Sequence, residues 1–464
     1  MSSKLKKGIA ALLAGTLLAG CSMSLSPNEL VKHPKMEVNQ QEIKQAVERF
    51  LPQGAKLTIP LRPEKASAFE QVDLNGDGSD ELVAFYKKGQ DILELGILIL
   101  GKEEEQWTLL DNIEEPGQSI EYAEFHNITG DKAPELVVGW SGGSGMNSEL
   151  SVYTLQNKKM KQLMRKNCAD FSVGDLDGDL KADIAVFFRT DKEVLPYAVE
   201  LPYAVVQLYR YVDGKLKMTN EMEYEAVYPD RVTIGNATKD KRGIFVDVVA
   251  GAHSAYTQLL MLENGRFKNM IGTPKGDFPI TFKAYPLPSQ DIDNDGIIEI
   301  GMMTEPPGTE NLAMVDIPWV NVWYKWNEGG GLIPVAEDYS DWEEGYRFKI
   351  PGSWKDKYTV REVTGDDGKV QSVDFYYTGR DKKEMAKLFS IRYVAQEKWL
   401  TERQRLYENN VSYTVLRENG KNILIGVLPG GNPDLAGSDL KEYRKMQLNQ
   451  ESIKQLFQSP LSNS

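Results

Sequence analysis

The sequence predicts a mainly β protein, a five- or six-bladed β-propeller with calcium-loop repeats, followed by a small α+β domain. Short apolar segments alternate with turn residues along most of the chain, for example at 82–86 and 136–140, which indicates strands. A nine-residue acidic loop recurs before five of these segments and starts at residues 73, 127, 175, 236 and 291. A period of roughly 50–60 residues that contains about four strands is typical of a propeller blade.

The five loops, numbered 1 to 5, share polar residues at positions 1, 3, 5 and 9. The three strong copies have Asp73, Asn75, Asp77 and Glu81 in loop 1, Asp175, Asp177, Asp179 and Asp183 in loop 3, and Asp291, Asp293, Asp295 and Glu299 in loop 5. Loop 2 is a weaker copy with Asn127, Thr129, Asp131 and Glu135. Loop 4 begins at Asn236 and has Ile244 at position 9.

This spacing predicts cation binding, because alternate side chains of a tight loop converge on one centre. A hard cation such as Ca²⁺ takes about six to eight oxygen ligands, and the loops contain no His or Cys at these positions. Mg²⁺ fits less well, since it keeps more of its waters. We expect two to four structural calcium ions, held in loops 1, 3 and 5, with loop 2 a weaker site and loop 4 without metal. The alternative for any single copy is a solvated acidic turn.

Position 6 distinguishes the strong loops. It is glycine in loops 1 and 5 (Gly78 and Gly296) but Leu180 in loop 3. A bulky residue with positive φ costs roughly 1 kcal/mol. We therefore expect the backbone of loop 3 to differ from that of the other two.

The loops resemble the FG-GAP/VCBS repeats of integrin-α-like propellers. Their pattern is Asp-x-[Asp/Asn]-x-Asp-Gly-x-x-[Asp/Glu] followed by an apolar strand, and residues 171–174 (Phe-Ser-Val-Gly) are similar to the Phe-x-x-Gly that precedes such loops. The resemblance covers roughly residues 60–305. It implies that each loop binds Ca²⁺ and holds two strands of a blade together.

The N-terminus predicts export and lipid anchoring. Lysines at positions 4, 6 and 7 precede an apolar stretch over residues 8–20, which is too short to span a bilayer. The sequence Leu18-Ala-Gly-Cys21 resembles a bacterial lipobox, which implies lipidation of Cys21 and location on the outer face of the cell membrane or elsewhere in the envelope. The alternative is an ordinary signal peptide.

These observations divide the chain into four predicted parts. They are a signal peptide (1–20), a lipidated tether with a short helix over 38–51 (21–55), the propeller (56–345) and the α+β domain, which closes with one helix over 438–457 (346–464). Cys168 would have no disulfide partner once Cys21 is lipidated, so it is predicted to be a small core residue.

The function predicted from the sequence is non-catalytic binding or adhesion to a surface protein or glycan. The formal net charge of −14 argues against nucleic acid as a partner. Gly139-Trp-Ser141-Gly-Gly143 has the outline of a nucleophile elbow, but a strand rather than a helix is predicted after it, and His253 is predicted to be a loop residue. One alternative is a propeller-type lyase or hydrolase of envelope polymers, which would cluster His or Arg with acids. Another is an accessory subunit of an envelope complex.

Aromatic residues are a second candidate feature. Trp140, Trp319, Tyr324 and Trp326 would either line a sugar or peptide site or belong to the core.

Overall fold

A computed structural model describes residues 38–63, 65–89, 94–104, 106–142, 148–189, 203–225, 229–271, 279–329, 331–366, 368–379 and 386–459. The predicted signal peptide, Cys21 and the predicted tether up to residue 37 lie outside these residues. The described chain is mainly β, with six antiparallel sheets of four or five strands. It divides into two compact units, residues 1–53 and 54–464.

The first unit contains helix α1 (Val38–Phe50), which confirms the short helix predicted there. No helix in the described part of the chain is long and apolar enough to cross a membrane.

The second unit begins with sheets 1 to 4, whose strands follow one another along the chain. Sheet 1 contains β1 (Lys56–Leu57), β2 (Phe69–Val72), β3 (Glu81–Lys88), β4 (Glu94–Glu103) and β5 (Gln106–Pro116). Sheet 2 contains β6 (Ser119–His126), β7 (Glu135–Ser141), β8 (Ser148–Gln156) and β9 (Lys159–Cys168). Sheet 3 contains β10 (Asp170–Gly174), β11 (Asp183–Arg189), β12 (Tyr203–Val212) and β13 (Lys215–Glu225). Sheet 4 contains β14 (Pro229–Asn236), β15 (Arg242–Gly251), β16 (Ser254–Glu263) and β17 (Arg266–Asn269).

Sheets 5 and 6 complete the second unit. Sheet 5 contains β18 (Ile300–Thr304), β19 (Val320–Trp326), β20 (Leu332–Asp341) and β21 (Tyr346–Ile350). Sheet 6 contains β22 (Tyr358–Thr364), β23 (Val370–Tyr377), β24 (Ala386–Ala395), β25 (Tyr413–Glu418) and β26 (Asn422–Val427), and the final strand β27 (Phe457–Gln458) returns to the edge of sheet 5. The helices are α2 (Trp399–Glu408), α3 (Gly437–Met446) and α4 (Gln450–Leu456), with 3₁₀ turns at Met314–Asp316, Gly352–Trp354 and Gln396–Lys398.

Consecutive sheets share apolar cores, which explains why strands such as β3, β7 and β11 are largely apolar runs. In β11, Ile184 and Val186 pack in one core with residues of sheet 2, while Ala185 and Phe187 pack in another with residues of sheet 4. Because neighbouring side chains of a strand point to opposite faces, a strand between two sheets buries both. The same pattern joins sheets 1 to 2, 4 to 5 and 5 to 6.

Two sequence predictions need correction. The single helix over 438–457 is wrong, because α3 ends at Met446 and α4 starts afresh after Asn449, whose side chain accepts a hydrogen bond from the Ser452 backbone N–H. The six-bladed alternative depended on a sixth repeat assembled from residues 57–62 and 320–335, and this repeat does not form, since β1 pairs with β3 in sheet 1, whereas β19 pairs with β18 and β20 in sheet 5.

The predicted boundary at residues 345/346 falls inside sheet 5. Strand β21, which begins at Tyr346, pairs with β20 on one side and with β27 on the other. One core then runs from sheet 5 into sheet 6 and includes the fully buried Phe348, Trp354, Phe375 and Phe389.

Candidate metal centre

The acidic loops occupy equivalent places in the fold. Loop 1 joins β2 to β3, loops 2 and 3 join the first two strands of sheets 2 and 3, and loop 5 leads directly into β18. In loops 1 to 3 the position-9 acid is the first residue of the buried strand that follows the loop (β3, β7 or β11), so the loop is fixed to the core at that end.

The position-1 carboxylate organises each strong loop by accepting backbone N–H groups. Asp73 accepts hydrogen bonds from Gly76 (2.7 Å) and Gly78 (2.8 Å). In loop 3, Asp175 accepts from the residues at the same two positions, at 2.6 and 3.0 Å. Asp291 accepts from positions 5 and 6, at 3.1 and 2.8 Å. These bonds bend the chain so that its alternate side chains point inward.

The position-9 carboxylate closes each loop from the opposite side. Glu81, Glu135, Asp183 and Glu299 are each at most 4% exposed, and each accepts a hydrogen bond from the backbone N–H of position 2 at 2.8–3.2 Å. Burial is the main cause that raises the pKa of these four carboxyls, and the backbone donors oppose it. A buried carboxylate with few donors favours a nearby positive charge.

Two loops bring three carboxylates together at one point. One oxygen each from Asp175, Asp177 and Asp179 lie within 4.8 Å of one another, and so do oxygens from Asp291, Asp293 and Glu299. In loop 1 an amide takes the place of one carboxylate, and Asn75 donates to Glu81 at 2.8 Å. Every one of these loops offers oxygen donors alone, as a hard cation requires.

Basic side chains from elsewhere reach loops 3 and 5, which the sequence did not predict. Arg210 of β12 lies 2.9 Å from Asp183 and 3.0 Å from Asp177. Arg242, at the end of loop 4, forms an ion pair with Asp175 and donates to its backbone carbonyl at 2.9 Å.

Lys325 of β19 plays the same part in loop 5. Its ammonium lies 2.5 Å from Asp295, 3.2 Å from Glu299 and 3.5 Å from Asp293. Burial opposes the charged form of Lys325, yet Asp295 and Glu299 outweigh it and raise the pKa of the ammonium.

The donor sets therefore fit a divalent cation to different degrees. In the part of the chain that the structure describes, no basic side chain pairs with the loop-1 carboxylates, so Asp73, Asp77 and Glu81 remain available with Asn75. In loops 3 and 5 a cation would compete with a tethered guanidinium or ammonium for the same oxygens. Loop 2 has one buried acid, Glu135, whose oxygens are engaged by the Ile128 and Thr129 backbone and the Thr129 hydroxyl.

The expectation for the loop-3 backbone is wrong. Leu180 has φ of 67°, in the same left-handed region as Gly78 (92°) and Gly296 (85°). Its N–H donates to Asp175 as the glycines donate to theirs, and its side chain is 78% exposed, so the loop keeps its shape and the leucine points to solvent. The energetic cost of the positive φ is therefore confined to Leu180.

Loops 2 to 5 are linked in turn by hydrogen bonds or an ion pair, and loop 1 lies close to loop 2. Asn127 of loop 2 donates to the Leu180 carbonyl of loop 3 at 3.1 Å, and Asn236 of loop 4 donates to the Gly296 carbonyl of loop 5 at 2.8 Å. Arg242 joins loop 4 to loop 3. Gly76 of loop 1 lies so close to loop 2 that an added Cβ would be 3.4 Å from the Lys132 side chain. Loops 2 to 5 thus form a linked series, with loop 1 beside loop 2.

A separate cluster of titratable side chains lies on β6 and β10. The Tyr122 hydroxyl is 2.5 Å from Glu124 and 2.6 Å from His126, and all three share one face of β6. Arg62 lies over the Tyr122 ring and pairs with the buried Asp170 at 3.3 Å. This is the combination of His, Arg and acids that the enzymatic alternative requires.

The remaining predicted candidates separate into core and surface. Trp140 and Trp326 are each 3% exposed and Cys168 is a buried free cysteine, so these three are core residues. Ser141 is buried at the end of β7, and His253 lies in the turn before β16 with its ring 5.2 Å from Tyr285. Trp319 lies at the wall of a surface cleft.

Lys325→Met is expected to lower the free energy of unfolding by about 1–3 kcal/mol in the presence of chelator, because the buried Glu299 loses its counter-charge. Excess Ca²⁺ should restore more stability to the variant than it adds to the wild type, since the vacated oxygens then suit a divalent ion. Urea unfolding with chelator and with calcium measures both effects. Lys268→Met, which breaks an exposed pair with Glu263, is the control and should change stability by less than about 1 kcal/mol. Unchanged stability of Lys325→Met in chelator would contradict the assigned role of the ammonium.

Comparison with known proteins gives no family assignment. No family model and no curated protein matches the chain. Solved structures match over part of it at low similarity. The exotype rhamnogalacturonan lyase YesX has 13% identity and a TM-score of 0.28, and the match covers 65% of each chain. Sqt1 of Saccharomyces cerevisiae has 9% identity and a TM-score of 0.30, covering 66% of this chain and 89% of that one. A mutant of AofleA from Arthrobotrys oligospora has 12% identity and a TM-score of 0.27, covering 73% and 85%.

Proposed function

We propose that this protein is an exported, lipid-anchored β-propeller of the FG-GAP/VCBS type that binds calcium and acts as a non-catalytic binding or adhesion module of the cell envelope. Sheets 1 to 5 are its blades, and the lipid on Cys21 holds it to the membrane. The observation that carries the proposal is the series of neighbouring loops, one before a buried strand of each of five consecutive sheets, of which loops 2 to 5 are bonded to one another. Such a series pins neighbouring blades and leaves the other loops to contact a partner.

Calcium has a structural role in this proposal. Loop 1 is the first site to fill, because its carboxylates have no basic partner among the described residues. Asp73, Asn75, Asp77 and Glu81 would hold the ion, which would neutralise the acidic loop and strengthen the junction of β2 with β3. Extracellular calcium modules bind at about 10⁻⁴–10⁻³ M, so such sites fill outside the cell.

The test of the calcium proposal is a thermal unfolding series with the protein lacking its first 21 residues. Calcium at about 100 times its dissociation constant should stabilise the wild type by about 2.7 kcal/mol per site, and chelator should remove the gain. Asp73→Ala should lose the part due to loop 1, whereas Asp80→Ala, an exposed acid of the same loop outside the ligand positions, should keep it. A melting temperature that ignores both calcium and chelator would exclude a structural metal.

The test of the binding proposal is capture of a partner. The same protein is used against a glycan array and a surface-protein extract, with calcium and with chelator. Binding that requires calcium supports the proposal, and the absence of any partner in both conditions sinks it.

An enzyme acting on envelope polymers is the second candidate, and the cluster of Tyr122, Glu124 and His126 with Arg62 and Asp170 favours it. Turnover of a polymer by the wild type that disappears in Tyr122→Phe would select this candidate over passive binding. Capture of a polymer without turnover would select the binding module.

A further inference from the structure

A cleft of about 480 Å³ opens where sheet 5 meets the first strand of sheet 6. Four aromatic side chains form much of its wall: Tyr285, Trp319, Tyr339 and Trp342. Tyr339 is buried at the wall and Trp342 is 42% exposed, on the turn after β20. The Trp319 indole is held by a hydrogen bond of 3.1 Å from its Nε1 to the Met314 carbonyl, which fixes the ring at the cleft.

Several polar groups in the wall donate their hydrogen bonds to other groups of the protein. The Tyr339 hydroxyl donates to the Glu362 carboxylate at 2.6 Å. The Ser340 hydroxyl and the Asn321 amide donate to Asp338 at 2.9 and 2.7 Å. The Trp319 N–H is occupied as well. The wall therefore offers a ligand mostly hydrogen-bond acceptors and the faces of aromatic rings.

The charge of the wall is negative. Glu362 lines the cleft, and no Lys, Arg or His is among the described residues that line it. Burial is the main cause that raises the pKa of Glu362. Tyr339 opposes this increase, and the nearby charges of Asp341 and Asp316 add to it. Two arginines of the neighbouring strands are engaged elsewhere.

The engaged arginines are Arg347 and Arg361. Arg347 pairs with Asp338 at 3.5 Å and lies over Trp323. Arg361 donates to the Gly308 carbonyl at 2.7 Å, and it precedes Glu362 in β22, where successive side chains point to opposite faces of the sheet. An anionic ligand would meet like charge in this cleft, whereas a cation would find a carboxylate.

We propose that this cleft binds an organic cation, the ammonium group of a small ligand, with the rings of Trp319 and Trp342 beside it and the Glu362 carboxylate as its counter-charge. Aromatic faces attract ammonium groups through their quadrupole, and a neighbouring carboxylate adds to the attraction. The cleft is larger than an ammonium head and leaves room for the chain attached to it. This inference rests on the binding role proposed above and names the chemistry of one ligand.

The test compares choline with its uncharged carbon isostere, dimethylbutanol, in a tryptophan-fluorescence titration confirmed by calorimetry. Choline should bind saturably and the isostere should bind more weakly, because the two have the same shape and differ in charge. Trp342→Ala should weaken choline binding about 2- to 30-fold, the range of one cation–π contact, and Glu362→Gln should weaken choline without affecting the isostere. Tyr407→Ala removes an exposed aromatic outside the cleft and should change nothing.

Equal binding of choline and isostere would mean that the cleft is only an apolar groove, and it would overturn the proposal. The proposal would also be overturned if choline did not bind saturably, or if Trp342→Ala bound choline as tightly as the wild type. Partner capture by the wild type, compared with its choline titration, distinguishes failure of the cleft proposal from failure of the proposed binding role. If the wild type does not bind choline and still captures its partner, the cleft proposal falls and the binding role stands. If no partner is captured in any condition, the binding role falls, and choline titration alone decides whether the cleft takes a cation.

Discussion

Asp247→Ala is expected to lower the free energy of unfolding by about 3–5 kcal/mol, because it leaves a buried ammonium without its counter-charge. Lys283 is 2% exposed, and its Nζ lies 3.5 Å from Asp247. Asp247 also accepts hydrogen bonds from the Thr257 hydroxyl (2.5 Å) and from the backbone and hydroxyl of Ser289 (2.8 and 2.9 Å). One substitution therefore leaves several buried donors unpaired.

The loss of the Lys283–Asp247 pair should affect more than one sheet. Lys283 donates to the Thr257 hydroxyl of sheet 4, to the Leu287 carbonyl and, at 3.0 Å, to the Gly301 carbonyl of sheet 5. A single side chain thus ties the segment before loop 5 to two sheets. Chemical denaturation of the wild type and the variant measures the loss.

A double variant separates the effect of the unpaired charge from the effect of the lost hydrogen bonds. Asp247→Ala combined with Lys283→Met removes both charges, and it should be more stable than Asp247→Ala alone, since an apolar pair avoids the desolvation of a lone ammonium. Glu263→Ala, from the exposed pair with Lys268, is the control and should cost less than about 1 kcal/mol. A double variant less stable than Asp247→Ala would show that hydrogen bonding, not charge, dominates the site.

The deficit of Asp247→Ala should also shrink as the pH rises. Burial lowers the pKa of Lys283 below its ordinary value of about 10.4, and loss of Asp247 lowers it further. Between the folded and unfolded pKa values the unfolded chain binds the extra proton, so stability increases with pH in that range. Wild type and variant should therefore converge towards alkaline pH.

The sequence predicted the repeated part of the fold well, because its signals are local. Alternating polar positions identified the loops, and the apolar runs after them became β3, β7, β11, β15 and β18. The C-terminal helix was predicted as one because its apolar spacing continues through the break. The signal for the break was present in the Asn449 cap three residues before Ser452, which starts a new helix and ends the previous one.

The chemistry around the loops could not be predicted in the same way. Arg210, Arg242 and Lys325 reach carboxylates that are 26 to 67 residues away along the chain, and only the pairing of strands and sheets brings them there. The aromatic cleft is likewise assembled from five separate stretches of the chain. The alternation of side chains within one strand or one nine-residue loop contains no information about contacts at such distances.

Phe348→Ala is expected to lower the free energy of unfolding by about 3–5 kcal/mol and to loosen sheets 5 and 6 together. Phe348 belongs to β21 of sheet 5 and is fully buried. Its ring centroid lies 4.6 Å from that of Phe389 and 5.1 Å from that of Phe375, both in sheet 6. Removing the ring leaves a cavity that both sheets line, so the cost should be shared between them.

Hydrogen exchange decides whether residues 346–464 form a separate domain, as the sequence suggested. With one shared core, amide protection in β20 and in β23 should fall by the same free energy in Phe348→Ala. Val363→Ala, on β22 and 42% exposed, is the control and should leave both within about 0.5 kcal/mol of the wild type. Loss of protection in β23 alone would support the predicted domain boundary at residues 345/346. Because β21 and β27 are strands of sheet 5 and the core continues from that sheet into sheet 6, we expect the two sheets to unfold as one unit.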